Sequence, residues 1–274
     1  MKKKQIAASG KKGAKKHQTI FQQFYWPVIV PNSLTLLAIC LGLSAIRTVS
    51  VDSNYPLAII FIALAAVLDN LDGWVARRLK AVSPIGAQLD SLADFLNFAV
   101  TPSFIMYQFT LYELNLDLFT IKNTTIIFPL GWVVCLVFIL AGAFRLARFN
   151  AMGPAAEKWK YFFQGVPTPA GAGLCLAPLV MFLTNSESLS LSSWIIAIWV
   201  VIVALLMISS IPTYSTKGLA VKKSHRPVMV LVAAGLIYSA IIYSWATLLS
   251  ILFIYTVSLF ISPYHFWSLT KKSK

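Results

Sequence analysis

Stretches of about 18 or more largely apolar residues recur along this chain, each long enough to cross a bilayer as a helix. A bilayer offers backbone amides no hydrogen-bond partner, so a chain with several such stretches folds as a bundle of helices. Of its 274 residues 58% are hydrophobic and 12% charged, and the mean hydropathy is +0.75. A soluble domain carries roughly twice that charged fraction. The expected fold is an all-α polytopic membrane protein of about eight transmembrane helices, near 33–50, 56–79, 86–109, 125–147, 168–184, 191–212, 227–244 and 246–268. No polar linker divides them. The chain then reads as a basic, disordered N-terminus (1–18), a juxtamembrane interfacial segment (19–30), a transmembrane domain (31–268) and a basic tail (269–274). Phe21, Phe24 and Tyr25 stand at helical spacing. They suit an N-terminal helix lying in the headgroup layer, and equally an irregular lead-in with interfacial aromatics.

The net charge is +14, and seven of the 23 Lys and Arg residues fall in the first 16 positions. Eight spans place both termini on one side of the membrane. Counted that way, 21 of the 23 basic residues share the side of the N-terminus, leaving only Arg47 and Lys122 elsewhere. Asp52, Glu113, Asp117 and Glu187 fall in or beside the opposite loops. This is the positive-inside pattern of a cell (inner or plasma) membrane protein with cytoplasmic ends. It assigns the basic surplus to topology and anionic lipid headgroups rather than to nucleic acid. The basic head leads into polar residues, so no cleavable leader is expected. Cys40, Cys135 and Cys175 lie singly in apolar runs and read as small core hydrophobes, and His17, His225 and His265 form no ligand set. A short turn near Ser244–Trp245 separates the last two spans, so a re-entrant pair fits the same letters. No internal repeat is visible, which weighs against an inverted-repeat transporter.

Against this background the stretch from Asp69 to Asp94 stands out. Four of the nine acidic residues, Asp69, Asp72, Asp90 and Asp94, fall within its 26 positions, inside or at the edge of apolar runs. An Asp at the centre of a membrane helix costs about 2.5–3.5 kcal/mol, so the cluster calls for a use. Asp69 and Asp72 are three residues apart and Asp90 and Asp94 four apart, so each pair shares a helix face. The short loop between the two spans makes them antiparallel neighbours. Four carboxylates then converge near the cytoplasmic surface. Their mutual repulsion is offset by cations, of which Arg77, Arg78 and Lys80 are near in sequence, or more economically by divalent metal. An all-oxygen set suits Mg²⁺, Mn²⁺ or Ca²⁺ rather than structural zinc, and four carboxylates suffice for two ions.

Gly73 and Ala76 continue the acidic face of the second span, and Gly86 precedes Asp90 by one turn. Such small residues leave room for a ligand against the backbone, or equally for close helix packing. Arg77 is placed to clamp a phosphate, while Arg78 and Lys80 read equally as topogenic charges. Further polar groups stand at span ends on the same side: Asn32 and Thr35; Arg145, Arg148 and Asn150; the run from Gly165 to Gly173; and the run from Ser209 to Lys217. Singly, each has a plain explanation as a cap or an anchor. Together they suggest a ring around one cavity.

The series Asp69-x-x-Asp72-Gly73-x-x-Ala76-Arg77, eight residues, Gly86-x-x-x-Asp90-x-x-x-Asp94 resembles the signature of the CDP-alcohol phosphatidyltransferases at all eight fixed positions. The stretch is about a tenth of the chain, and a six-helix core around it suits that family's fold. The sequences around Asp94, Arg145–Asn150, 165–173 and Ile211–Lys217 are similar to the phosphatidylserine synthase branch, with Ala99 standing where that branch has Gly. The resemblance implies that serine attacks the β-phosphorus of CDP-diacylglycerol, giving phosphatidylserine and CMP. It implies two Mg²⁺ or Mn²⁺ ions on Asp69, Asp72, Asp90 and Asp94, with Asp90 and Asp94 catalytic and Asp94 the general base. Asn32, Thr35, Asp72, Gly73, Ala76, Arg77 and Gly86 would bind the CDP-lipid, and the resemblance implies a homodimer. Arg145, Arg148 and Lys217 are candidates for the serine carboxylate or the lipid phosphate. Other readings remain: a different acceptor (glycerol 3-phosphate, inositol phosphate, choline), an ether-lipid donor, a divalent cation transporter, or an inert scaffold.

Overall fold

The computed structural model describes residues 26–114, 116–121, 124–151, 162–184, 191–214, 235 and 238–272. Its helices are α1 (Trp26–Asp52), α2 (Tyr55–Arg78), α3 (Pro84–Phe95), α4 (Thr101–Phe109), α5 (Leu130–Ala151), α6 (Thr168–Thr184), α7 (Ser193–Ile208) and α8 (Ser244–Lys272). Four of them, α1, α2, α5 and α8, are long and apolar enough to cross a membrane. Between α3 and α4 a π-helical turn, Leu96–Val100, carries the chain on without a break, so 84–109 acts as one pass. The architecture is the expected all-α polytopic bundle. Ten of the 18 residues of the predicted seventh span, 227–244, lie outside the described residues, as do 1–25 and Lys217.

Local chemistry sets the ends of these helices. Asn54 caps α2 by accepting from the Leu57 amide at 3.1 Å, with Pro56 in the first turn. Ser83 caps α3 by accepting from the Gly86 amide at 3.0 Å, with Pro84 next in line. The end of α2 is closed by the Ala81 amide donating to the Ala76 carbonyl at 2.9 Å. That closure puts Lys80 at φ 52°, a conformation usually left to glycine.

The structure departs from the expected spans at four places. The first helix begins at Trp26 rather than at 33 and passes through Pro31. The third pass contains the π turn. Residues 125–128, assigned above to the fourth span, belong instead to a strand β2 (Thr124–Phe128) paired antiparallel with β1 (Leu116–Ile121), and the helix starts only after Pro129. The run Thr-Thr-Ile-Ile-Phe is β-branched and aromatic, which favours a strand when a partner is beside it. The sixth span ends at Ile208 rather than 212, because Pro212 disfavours helix in the residues before it. Pro212–Tyr214 becomes a strand, β4, paired with β3 (Phe162–Gln164).

The core lies between α4, α5, α6 and α7, around Ile105, Met106, Phe138, Leu179 and Val200, all fully buried. Polar ties join its helices. Pro178 has no amide to offer, so the Leu174 carbonyl is free, and the Trp199 indole of α7 donates to it at 2.7 Å. Ser103 of α4 donates to the Cys135 carbonyl of α5 at 3.0 Å. Outward faces carry large apolar residues such as Leu140, Phe144 and Phe253, as a lipid-facing surface requires. Cys135 and Cys175 are buried as expected, but Cys40 is exposed on the outer face of α1, where a thiol costs little against lipid.

Ala99, in the π turn, is fully buried against Gly142 of α5, where an added Cβ would stand 2.5 Å from the Ala99 methyl. The two positions share room for one methyl group. Gly142→Ala is expected to destabilise the protein by about 1–3 kcal/mol, and Ala99→Gly in the same chain to restore it. Melting in detergent checks both; an unchanged midpoint for Gly142→Ala alone would refute the tight fit.

Candidate active site

The acidic residues come from two helices that α1 holds side by side. Asp69 and Asp72 lie in the last turns of α2, Asp90 and Asp94 on α3. Asp72 is buried at 3% exposure, and the Thr35 hydroxyl of α1 donates to its Oδ2. Asp69 faces all three other carboxylates, and its Oδ1 is buried without a hydrogen-bond partner. The Asp69 and Asp94 side chains lie within hydrogen-bonding reach of each other, a contact that two carboxylates sustain only by sharing a proton or a cation. On its other side Asp94 faces the Arg145 guanidinium.

Beside these acids lies a cleft of about 140 Å³. Its lining includes Asn32, Thr35, Asp72, Gly73, Ala76, Arg77, Gly86 and Asp90. Every residue predicted from the sequence to contact a nucleotide therefore opens onto one space. Arg77 stands where its charge acts on both Asp72 and Asp90. Gly86 is required by proximity: a Cβ there would stand 2.8 Å from Asn32 Oδ1 and 3.1 Å from Ser83 Oγ. Ser83 and Pro31 also line the cleft and were not singled out from the sequence. The signal for Ser83 was its place before Pro84, the pattern of a helix start.

The two arginines of α5 part company. Arg148 spends its guanidinium on backbone carbonyls, donating to Ile208 at 2.6 Å, Ser209 at 3.1 Å and Gln164 at 3.2 Å. It ties the end of α7 to the β3–β4 ladder. Arg145 is buried at 7% exposure, donates to the Thr168 hydroxyl, and keeps its Nε without a partner. Gly165 takes φ +74° to make this corner, and its carbonyl accepts from the buried Thr213 hydroxyl at 2.9 Å. Asn150 donates to Ser91 of α3 at 3.1 Å, linking the end of α5 to the acidic helix. Arg47, one of the two basic residues outside the expected side, is paired with Asp52 at 3.3 Å at an exposed helix end.

Among the described residues, no three Asp, Glu, His or Cys side chains are drawn together tightly enough to hold an ion as they stand. What the residues build is a cleft lined by two of the four carboxylates, Asp72 and Asp90, and a buried arginine facing a third, Asp94. That is an arrangement for placing a charged group between two substrates.

Comparison with known proteins bears on the same residues. The profile described as "CDP-alcohol phosphatidyltransferase" matches residues 28–209, which takes in the cleft, the acids and both arginines of α5. A CDP-diacylglycerol–serine O-phosphatidyltransferase of Mycobacterium leprae is 36% identical over 231 residues, 82% of this chain and 72% of that protein. Proteins of the same description from Helicobacter pylori (33% over 189 residues; 67% of this chain, 70% of that one) and Methanocaldococcus jannaschii (35% over 192 residues; 69% and 77%) are also similar. The chain belongs to the CDP-alcohol phosphatidyltransferase family, membrane transferases of phospholipid biosynthesis.

Proposed function

We propose that this protein transfers the phosphatidyl group of CDP-diacylglycerol to the hydroxyl of L-serine, releasing CMP. The observation that carries this reading is the buried Arg145 facing Asp94, in an acidic cluster whose Asp72 and Asp90 line a cleft. A carboxylate-bearing acceptor held by Arg145 has its hydroxyl next to Asp94, where it meets the diphosphate end of a CDP-lipid lying in the cleft. The names of the similar proteins support the same acceptor.

In this mechanism the CDP moiety occupies the cleft, with its phosphates against Gly73, Ala76, Arg77 and Gly86 and with Asn32 and Thr35 at its rim. Asp94 takes the proton from the serine hydroxyl as its oxygen bonds to the β-phosphorus. The bond from that phosphorus to the CMP oxygen breaks, and Arg77 balances charge on the departing phosphate. Arg145 binds the serine carboxylate as a bidentate partner. Arg148, whose donors are spent on carbonyls, holds the corner in shape and does not bind substrate. Lys217 lies outside the described residues.

Divalent metal fits this donor set. The family depends on divalent metal in general. The four Asp offer only hard oxygen, and the orphaned Asp69 Oδ1 is a buried acceptor with nothing to accept. Asp69, Asp72, Asp90 and Asp94 would hold two Mg²⁺ or Mn²⁺ ions, which supply charge neutralisation at the diphosphate. The basic side of the protein, with both termini and the site, faces the cytoplasm of the cell membrane; the positive-inside count supports this. Assembly as a homodimer rests on family resemblance alone.

Product analysis tests the reading. Purified protein with CDP-diacylglycerol and Mn²⁺ is expected to form phosphatidylserine and CMP in equal amounts with serine, and no lipid product with glycerol 3-phosphate, inositol phosphate or choline. EDTA is expected to abolish CMP release and added Mg²⁺ or Mn²⁺ to restore it. A lipid product from another alcohol, without serine turnover, would overturn the acceptor and leave the family chemistry standing.

A further inference from the structure

The helix α8 lies beyond the residues 28–209 that the family profile matches, yet it packs on β4 and α6, the elements that frame Arg145. It brings Tyr255 to that corner. The Tyr255 hydroxyl is buried, stands beside Thr213 and the Arg145 charge, and makes no well-formed hydrogen bond. Arg145, more than nine-tenths buried, keeps its own Nε without a partner in the same place. Two unpaired buried polar atoms, on residues whose charges act on each other, are costly in a membrane protein unless a ligand completes them.

The hydrogen-bond pattern says what kind of ligand. Thr213 donates its proton to the Gly165 carbonyl, so it turns only lone pairs toward Tyr255. The Tyr255 proton is therefore best used on Thr213, which leaves the phenolic lone pair for a donor from the ligand. Arg145 offers donors only, and takes an anion. A ligand that satisfies both atoms carries a cationic N–H donor next to a carboxylate. We propose that Tyr255 recognises the ammonium group of an α-amino-acid acceptor, while Arg145 holds its carboxylate; this rests on the serine reading above. The acceptor is then gripped at three points, with its hydroxyl at Asp94. Selectivity for an amino acid over a simple hydroxy acid comes from α8, outside the part of the chain shared as the family core.

Two measurements test it. In the unaltered protein, 3-hydroxypropionate, which is serine without its amino group, is expected to be a poorer acceptor than serine by about ten- to hundredfold in kcat/KM, the loss of one hydrogen bond to a charged group. In Tyr255→Phe the serine KM is expected to rise by about the same factor, the KM for CDP-diacylglycerol to stay unchanged, and the preference for serine over 3-hydroxypropionate to shrink toward unity. Equal turnover of the two acceptors by the unaltered protein overturns the proposal without any variant. An unchanged preference in Tyr255→Phe overturns it too, and if that variant does not fold, Thr213→Val, which removes the acceptor of the Tyr255 proton, is expected to weaken the same preference. Absence of any serine-dependent CMP release overturns the serine reading itself and this inference with it, whereas serine turnover with an indifferent Tyr255→Phe overturns this inference alone.

Discussion

Asp94→Asn is expected to lower kcat by about a thousandfold or more while raising the melting temperature of the metal-free protein. The first effect follows from the proposed mechanism, in which Asp94 accepts the serine proton, a contribution of roughly 10²–10⁴, and is one of four metal ligands. The second follows from the site itself. Asp69 and Asp94 face each other in a buried position, with Asp72 and Asp90 adding like charge. An amide in place of one carboxylate relieves that repulsion and donates to Asp69. Mn²⁺ should stabilise the unaltered protein against heat and stabilise Asp94→Asn much less. Activity and stability thus move in opposite directions, which a general loss of folding cannot imitate. Full activity in Asp94→Asn would end the general-base assignment. Asp69→Asn serves as a companion: it should lose the Mn²⁺ stabilisation and most activity, through metal binding alone.

The arginines of α5 give the second large effect, because the two side chains do different work three residues apart. Arg148→Ala leaves the Ile208, Ser209 and Gln164 carbonyls without their donor, at about 1.5–3 kcal/mol for a charged hydrogen bond and more for several. The expected result is poor folding and a melting point several degrees lower, with Arg148→Lys recovering only part, since an ammonium cannot span the same carbonyls. Arg145→Lys should keep the fold and raise the serine KM about ten- to hundredfold, with the KM for CDP-diacylglycerol little changed. A serine KM that responds to Arg148→Lys at unchanged melting temperature would reverse these roles.

The acidic site was legible in the sequence because fixed spacing on a helix fixes which side chains share a face. Asp69, Asp72, Gly73, Ala76 and Arg77 needed only the 3.6-residue repeat to be placed together, and the short loop before Gly86 did the rest. The separate duties of Arg145 and Arg148 were not legible. They depend on where the ends of α6 and α7 lie in space, and on carbonyls freed at Ile208 and Ser209 when the helix stops early before Pro212. Tyr255 gave no signal either, since an aromatic residue in an apolar helix looks like core until its hydroxyl is seen beside an arginine. The hairpin was missed for a related reason: the hydrophobicity of 125–128 matched the start of a membrane helix, 116–121 was left between spans, and only pairing decides for a ladder.

The π turn at Leu96–Val100 has an evolutionary consequence. One residue more than an α-helical turn needs rotates everything beyond it by about 100° about the axis. The upper half-helix can therefore point its acids at α1 and α2, while the lower half, with Ile105 and Met106, points its bulk at the core. A uniform helix would have to satisfy both demands with a single angular phase. With the offset, drift in the packing of the lower half does not swing the carboxylates away from their substrates, and the two halves are free to diverge at separate rates.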